Sequence, residues 1–490
     1  MLKKLKLSDS LIVIALSTLF VIMHLAAYYY KGFQYLMFLP IVLVVAFLVF
    51  TRIDKFFILT IFSIPLSIPL FEFKPELSYS ITLPSELFIV TILLIFILKL
   101  FREKQFSYDV FLHPVSIAIY FNLIWLIITS ATSTMPIVSL KFVLSRIWFL
   151  TSFYFLATML FDSGVNFTKY IWAYVLALVI VVFYAISRHV SIGLFDSNAS
   201  HYVMNPFYRD HTSYGAVLAF VLPVLIGMLF TKGQTKLQKI ALFIVIPIII
   251  LGLILSYSRA AWLGILFSLG VLVLVVLRIR FWIVFLLGGL IISLIALNWT
   301  EINYRMQSNT TDSSASLEEH VQSVTNISND YSNVERLNRW NSAIGMFKEK
   351  PFLGWGPATY MFQYAPFQSS QLKNPISTDA GDRGNAHSEY LGPLCEAGVL
   401  GLVTFLIIII ASLVTGFRVF RNSSGFSQKA LVISVILGLL TYIIHGVLNN
   451  FLDTAKVSSL FWGYIAFLVM LDIKQKKAAN KPEIAEEVLD

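Results

Sequence analysis

The chain has 490 residues, of which 58% are apolar and only 13% are charged, about half the charged fraction of about 25% that is usual in soluble domains. This composition excludes a water-soluble fold. At about 20 apolar residues per bilayer crossing, the roughly 280 apolar residues can supply about fourteen transmembrane helices. The net charge of +9 is typical of loop Lys and Arg residues that orient a membrane protein, so we expect no nucleic-acid surface. A single cysteine, Cys395, excludes a disulfide framework.

The predicted spans follow one another along almost the whole chain. The first, Leu11–Tyr30, comes after three lysines but lacks the small-residue cleavage site of a signal peptide, so we expect it to be retained. Apolar run lengths place the fourteen spans near residues 11–30, 35–51, 56–71, 84–101, 115–131, 138–161, 169–187, 212–231, 240–257, 260–277, 281–299, 387–415, 430–447 and 458–473.

Loop charge predicts the orientation of these spans. The Lys and Arg residues of six short connections fall on the same side as the N-terminus, and the positive-inside rule makes that side cytoplasmic. The connections are Arg52/Lys55, Arg102/Lys104, Lys232/Lys236/Lys239, Arg278/Arg280, Arg418/Arg421 and Lys474/Lys476/Lys477. We therefore expect an all-α polytopic membrane protein of about 14 transmembrane helices, with both termini in the cytoplasm and residues 188–211, 258–259 and 300–386 outside.

The outer connection 300–386 is the one long loop, and we expect it to form a small extracytoplasmic subdomain. Residues 308–333 have little helical or strand periodicity, whereas Arg336–Lys350 carries Trp340, Ile344 and Phe347 at helical spacing. The sequence Pro-Phe-Leu-Gly-Trp-Gly-Pro at 351–357 then ends that helix with turn residues.

Motifs for several common chemistries are absent from the sequence. It contains no Walker A loop, no His-Glu-x-x-His helix, no Asp-x-Asp pair and no nucleophile-elbow serine, so we expect neither a metal nor a cofactor. Ionisable residues instead collect at or near the outer face, where each is costly without a partner or a role. They are Lys141, Arg146, Arg188, Arg209, Asp210, His211, Arg259, Arg336, Arg339, His387, Glu389, Glu396 and His445.

Two arginines of this set suit the recognition of a diphosphate. Arg209 precedes a span, and Arg259 joins two spans with almost no loop. A guanidinium offers phosphate a planar fork of donors and stays charged when it is partly desolvated. The alternative is that each arginine extends towards lipid head groups at the interface.

His387 is the candidate general base, because it begins a span on the face that both arginines occupy and because histidine accepts protons near neutral pH. A structural histidine is the alternative. Glu396, nine residues further along the helix, lies on the opposite face from His387 and near mid-membrane. Arg146 is at a comparable depth, so we expect a buried Glu396–Arg146 ion pair, with a protonated Glu396 as the alternative.

Four motifs in this order resemble the bacterial O-antigen ligase/polymerase superfamily. They are the arginine before a span, Ser-Arg-Ala-Ala-Trp-Leu-Gly at 258–264, Pro-Phe-Leu-Gly-Trp-Gly-Pro at 351–357, and His-Ser-Glu-Tyr-Leu at 387–391 followed by Glu396-Ala-Gly398. The resemblance covers residues 200–460, with the 300–386 loop inside it. Residues 1–199 are expected to form N-terminal transmembrane helices, and 461–490 the last helix and a cytoplasmic tail.

The resemblance implies a metal-independent, inverting glycosyltransferase in the bacterial inner membrane, with its active site facing the periplasm. Such an enzyme moves a glycan from undecaprenyl diphosphate to a saccharide acceptor. Arg209 and Arg259 match the arginines expected to bind the diphosphate, and His387 matches the residue expected to deprotonate the acceptor hydroxyl. We expect five further residues to bind substrate, although aromatic residues at this depth also serve as interface anchors. They are Arg336, Arg339, Trp262, Trp355 and Tyr390.

Three functions fit these features to different degrees. The order of the arginines and the histidine-containing loop favour an O-antigen ligase, which attaches the glycan to lipid A-core. An O-antigen or exopolysaccharide polymerase, which joins lipid-linked repeat units, is the alternative. A polysaccharide or lipid transporter is a remote alternative, because the charged residues lie mostly at one face and no internal repeat is visible.

Overall fold

The computed structural model describes residues 7–31, 39–73, 81–102, 108–279, 293–294, 297–298, 331–373, 377 and 384–487. The chain forms two compact units, Met1–Leu59 and Thr60–Asp490. The first unit contains helix α1 (Leu7–Lys31), helix α2 (Leu39–Thr51) and the beginning of α3 (Ile53–Leu66).

The second unit is almost entirely helical in its described part. A two-stranded antiparallel pair, β1 (Ile68–Pro69) with β2 (Thr82–Leu83), precedes its long helices. The helices are α4 (Ser85–Arg102), α5 (Tyr108–Phe111), α6 (Pro114–Ala131), α7 (Pro136–Leu150), α8 (Ala157–Asp162), α9 (Phe167–Ile192), α10 (His211–Leu229), α11 (Lys236–Leu255), α12 (Arg259–Val276), α13 (Tyr331–Glu349), α14 (Tyr360–Gln363), α15 (Leu391–Asn422), α16 (Phe426–Leu448) and α17 (Ala455–Glu487). A π-helical segment, Thr151–Leu156, joins α7 to α8.

Nine helical segments in the described part are long and apolar enough to cross a membrane. They coincide with nine of the predicted spans, from 115–131 to 458–473, and this confirms an all-α polytopic membrane protein. Helices α2 and α3 have 13 and 14 residues, fewer than the about 20 that a crossing needs. The predicted span 281–299 lies almost wholly outside the described residues, so the number fourteen stays a prediction.

Burial separates central from peripheral helices. In α17, 89% of the apolar window is buried within the protein, compared with 22% in α12. Helices α10 and α12 pack against α16, and α15 packs against both α6 and α17. Lipid-facing side chains need no partner helix, so the low burial of α12 fits a position at the edge of the bundle.

A carboxylate in the middle of α17 connects three helices. Asp472 accepts hydrogen bonds from Arg418 Nε at 2.6 Å and Arg418 Nη2 at 2.9 Å. Lys476 Nζ lies 2.9 Å and His113 Nε2 lies 3.2 Å from its Oδ2 atom. These contacts join the start of α6 and the end of α15 to α17.

Helix α15 is interrupted at Gly398, which adopts φ +70° and ψ −171°. The interruption frees backbone groups that the segment 351–357 then pairs with. Gly356 N donates to Glu396 O at 2.7 Å, and Val399 N donates to Pro351 O at 2.9 Å. The Pro-Phe-Leu-Gly-Trp-Gly-Pro segment therefore docks into the interrupted helix. The predicted helix at 336–350 is confirmed as part of α13, whereas residues 308–330 of the predicted irregular segment lie outside the described part.

Candidate functional site

A cavity of about 600 Å³ lies where α4, α10 and α17 begin. Four chain segments form its wall: the β1–β2 pair with the start of α4, the loop into α10, the segment before α15 together with α13, and the segment before α17. Polar lining residues from these segments are Thr82, Ser85, Glu86, Arg209, Asp210, Ser213, Arg339, Asn385, His387, Asn450, Asp453, Thr454 and Lys456. The volume of the cavity is within the usual range for ligand pockets.

The loop into α10 contributes a cation and an anion to this cavity. Asp210 caps the helix, because its Oδ1 atom accepts hydrogen bonds from Ser213 N at 2.7 Å and from Thr212 Oγ1 at 2.6 Å. Arg209 is exposed, and its guanidinium carbon lies 4.9 Å from the centre of the Phe71 ring. The cap fixes the backbone of Asp210, so the neighbouring arginine is held at the cavity wall.

Arg339 is the buried arginine of the cavity wall, with 5% of its surface exposed. Its Nε atom lies 2.6 Å from Glu335 Oε1, one helical turn earlier, and its guanidinium stacks 4.5 Å over the Tyr364 ring. A Cβ atom at Gly384 would lie only 1.4 Å from Arg339 Nη1. A side chain at position 384 would therefore displace this guanidinium.

Arg259 and Arg336 lie near the cavity but do not line its described wall. Arg259 starts α12 after the turn at Tyr257, which has φ +49°. Arg336 is within electrostatic range of Arg259, Asp210 and His387. The structure therefore brings the predicted arginines to one region, with Arg336 within electrostatic range of both Arg259 and the cavity residues Asp210 and His387.

His387 lines the cavity and is held in an uncommon backbone conformation, φ +46°. Its amide donates to Asn385 Oδ1 at 3.0 Å, and its carbonyl accepts a hydrogen bond from Trp340 Nε1 at 3.5 Å. Burial lowers the pKa of His387 to about 3, and the charges of Arg336 and Arg339 add to the effect. The imidazole is therefore neutral at pH 7 and able to accept a proton.

Glu389 fixes the segment that leads into α17. Its Oε1 atom accepts hydrogen bonds from Tyr442 Oη at 2.6 Å, Phe451 N at 2.7 Å and Leu452 N at 2.8 Å. Burial raises the pKa of this carboxyl to about 6, against the lowering effect of its hydrogen bonds. Because Phe451 is itself part of the cavity wall, Glu389 acts as a positioning residue.

The predicted ion pair between Glu396 and Arg146 is replaced by other contacts. Glu396 Oε1 accepts a hydrogen bond from Tyr360 N at 2.9 Å and so caps the short helix α14. Arg146 instead has Glu389 as its foremost electrostatic partner, and its Nη1 atom lies 3.5 Å from Leu452 O. Both residues line one small cavity, so their depth was similar as expected, but Tyr360, which follows the docked segment 351–357, supplies the partner of the Glu396 carboxylate.

The three aromatic residues expected to bind substrate lie outside the described cavity wall. Trp262 Nε1 donates to Leu253 O at 3.1 Å, Trp355 Nε1 donates to Met346 O at 3.0 Å, and Tyr390 Oη donates to Ile443 O at 2.8 Å. Lys350 Nζ also lies 4.0 Å from the centre of the Trp355 ring. These contacts brace the scaffold, and the structure brings none of the three residues to the cavity with His387.

Sequence reasoning missed most of the other polar residues of the cavity wall, among them Glu86, Asn450, Asp453 and Lys456. Lys456 lies 4.2 Å from the centre of the Tyr208 ring, and its Nζ atom donates to Phe207 O. One signal could have found Lys456, because a lysine on the side predicted to be outside runs against the positive-inside trend. No group of three or more His, Cys, Asp and Glu side chains among the described residues is arranged to hold a metal ion.

The fold and the cavity together define a polytopic helical membrane protein with a pocket at one end of its bundle that contains a histidine, cations and carboxylates. Residues 242–406 match the model of the family described as O-antigen ligase, which confirms the predicted resemblance to the O-antigen ligase/polymerase superfamily over this part of the chain. The match includes Arg259, Arg336, Arg339 and His387 and supports a glycosyltransferase-like function in O-antigen processing. No curated protein matches the chain.

Proposed function

We propose that this protein transfers a glycan from undecaprenyl diphosphate to a saccharide hydroxyl, and that O-antigen ligase, acting on lipid A-core, is its particular activity. The observation that carries the proposal is the cavity in which Arg209, Arg339 and His387 share one wall, with Arg336 and Arg259 beside it. A diphosphate and a hydroxyl that loses a proton are the two groups that such a set of side chains suits.

The reaction is a single displacement at the anomeric carbon. The acceptor oxygen forms a bond to that carbon, while the bond from the carbon to the diphosphate oxygen breaks and its electron pair leaves with the diphosphate. The hydroxyl proton moves to the imidazole of His387. The arginines stabilise the charge that develops on the leaving group, which is commonly the largest catalytic contribution. One displacement inverts the anomeric centre, and no metal takes part in this scheme.

Binding of the donor also adjusts the base. Part of the low pKa of His387 comes from the charges of Arg336 and Arg339. A bound diphosphate offsets these charges, so the pKa of His387 rises in the complex and the imidazole becomes a better proton acceptor. The base is thereby activated when the donor is in place.

Substitution of the three central residues tests the proposal. Arg209→Ala and Arg259→Ala should each lower transfer by about 100-fold or more, and His387→Ala by about 10²–10⁴-fold, at normal membrane levels of the protein. Arg259→Lys should remain poor, because a point charge does not reproduce bidentate phosphate binding. Arg421→Ala, which changes an exposed arginine at the far end of α15, is the control. Wild-type transfer by either Arg259 variant would refute the diphosphate role.

The proposed periplasmic orientation has its own test. Reporter fusions at Gly233 and Gly425 should report the cytoplasm, and a fusion at Ser314 should report the outer compartment. A cytoplasmic signal at Ser314 would place the cavity on the wrong side for a periplasmic donor.

The length profile of surface polysaccharide in a deletion strain separates the ligase from the polymerase. Loss of all glycan attached to the lipid A-core supports the ligase. Core that carries a single repeat unit instead supports the polymerase, which joins lipid-linked units to one another.

A further inference from the structure

One wall of the cavity has no part in the proposed transfer step. It consists of Thr82 from β2 and of Ser85 and Glu86 from the first turn of α4, and we name it the acidic wall. All three residues precede the matched region 242–406. The family match therefore gives them no role, and the diphosphate chemistry uses none of them.

An ion pair does not explain the position of Glu86 in the cavity wall. Its carboxyl group is half-buried and hydrogen bonds to Thr82, and no cation of the described chain forms an ion pair with it. The N-terminal end of a helix does favour an anion such as Glu86. A carboxylate gains that interaction equally well when it faces water, however, so the helix end does not account for its position in the cavity wall.

Ser85 adds an independent observation. The residue is fully buried, it lines the cavity, and its Oγ atom has no hydrogen-bond partner among the described residues. A buried hydroxyl without a partner is uncommon and costly. A ligand that occupies this end of the cavity would satisfy it.

The chemistry of the acidic wall selects the kind of ligand. A carboxylate accepts hydrogen bonds and donates none, so it suits the hydroxyl groups of a sugar, whereas the like charge of a phosphate or carboxylate is repelled. The serine hydroxyl can donate or accept with the same partner. Arg209 and Arg339 lie elsewhere in the wall and suit the anionic donor. The cavity thus offers a carboxylate and cationic side chains from different chain segments, and these suit different substrates.

We propose that Glu86 and Ser85 bind hydroxyl groups of the acceptor saccharide and that Glu86 makes the enzyme prefer a neutral acceptor to an anionic one. This inference rests on the proposed function and assigns the acceptor side of the same cavity. Glu86 is a specificity-determining residue in this scheme, and His387 remains the proton acceptor.

A matched pair of acceptors tests the charge preference in full-length protein reconstituted in liposomes. One is an uncharged oligosaccharide, and the other is the same oligosaccharide after oxidation of its primary hydroxyls to carboxylates. The wild type should prefer the neutral form by about tenfold or more in kcat/KM. Glu86→Gln should shrink the preference and raise the acceptor KM, with little change in the donor KM. Glu72→Gln, an exposed carboxylate outside the cavity wall, is the control.

An unchanged preference in Glu86→Gln would overturn the inference, and so would a rise in the donor KM alone. Ser85→Ala, which should also raise the acceptor KM, serves if Glu86→Gln does not fold. Arg259→Ala separates the proposed function from the proposed acceptor site. If Arg259→Ala loses transfer while Glu86→Gln keeps the wild-type preference, the function stands and the acceptor site is refuted.

Chemical labelling provides a readout that needs no turnover. A water-soluble carbodiimide modifies the Glu86 carboxyl group, which peptide mass spectrometry detects. The neutral oligosaccharide should protect Glu86 from modification, and inorganic pyrophosphate should not. Protection without transfer would support the saccharide site and refute the proposed reaction. Protection by pyrophosphate alone would refute the saccharide site.

Discussion

Gly398→Ala tests the junction between α15 and the docked segment 351–357. The φ +70° and ψ −171° of Gly398 lie in a region that is essentially restricted to glycine, and an L-residue there costs about 1–3 kcal/mol. A Cβ atom would also lie 2.0 Å from Phe352 O. The segment must move away, and this breaks the hydrogen bonds Gly356 N to Glu396 O and Val399 N to Pro351 O. At about 0.5–1.5 kcal/mol for each bond, we expect a total loss of about 2–6 kcal/mol.

Thermal unfolding of the detergent-solubilised protein, followed by size-exclusion chromatography, measures this loss. Gly270→Ala is the matched control, since no atom of the described residues lies within 4 Å of an added Cβ there and the residue is inside α12. The control should be neutral or stabilising by up to about 1 kcal/mol. Gly398→Ala should melt at a clearly lower temperature and lose transfer, because α13 and its arginines precede the displaced segment. Equal melting temperatures for the two variants would refute the reasoning.

Three further predictions concern the charges around the site. The acidic limb of kcat against pH should lie at a higher pH than the acidic limb of kcat/KM. The kcat profile reports the pKa of His387 with the diphosphate bound, whereas the kcat/KM profile reports its pKa in the free protein. Coincident limbs would contradict activation of His387 by the donor. Arg336→Gln should move the limb of kcat/KM to higher pH, because it removes a charge that lowers the pKa of His387. Double-mutant cycles on folded yield should show a larger coupling of Arg146 with Glu389 than with Glu396; the reverse order would restore the ion pair expected from the sequence.

The sequence predicted the site better where single residues carry the chemistry than where chain segments meet. Arg209 and His387 were found from their charge and their place at the outer end of a span, and both line the cavity. Arg339 also lines it, but its position depends on the close approach of Gly384, which no periodicity reveals.

The partner of Glu396 shows why contacts between distant chain segments were not predicted. Arg146 was the expected partner of Glu396 because the two residues lie at a similar depth. That expectation assumes that α15 is an uninterrupted helix. The interruption at Gly398 lets segment 351–357 enter, and Tyr360 N then reaches the carboxylate. A contact between a long loop and an interrupted helix depends on tertiary structure, so local spacing cannot predict it. The nine helices that coincide with predicted spans, in contrast, could be predicted from local apolar length alone.

The most direct test of the central claim is acceptor-dependent release of polyprenyl diphosphate by purified full-length protein in liposomes that contain the lipid-linked glycan donor. We predict that the wild type releases polyprenyl diphosphate only when the saccharide acceptor is present, with the glycan recovered on the acceptor, and that His387→Ala releases essentially none. Release that does not depend on the acceptor, or equal release by His387→Ala, would contradict glycan transfer in this cavity.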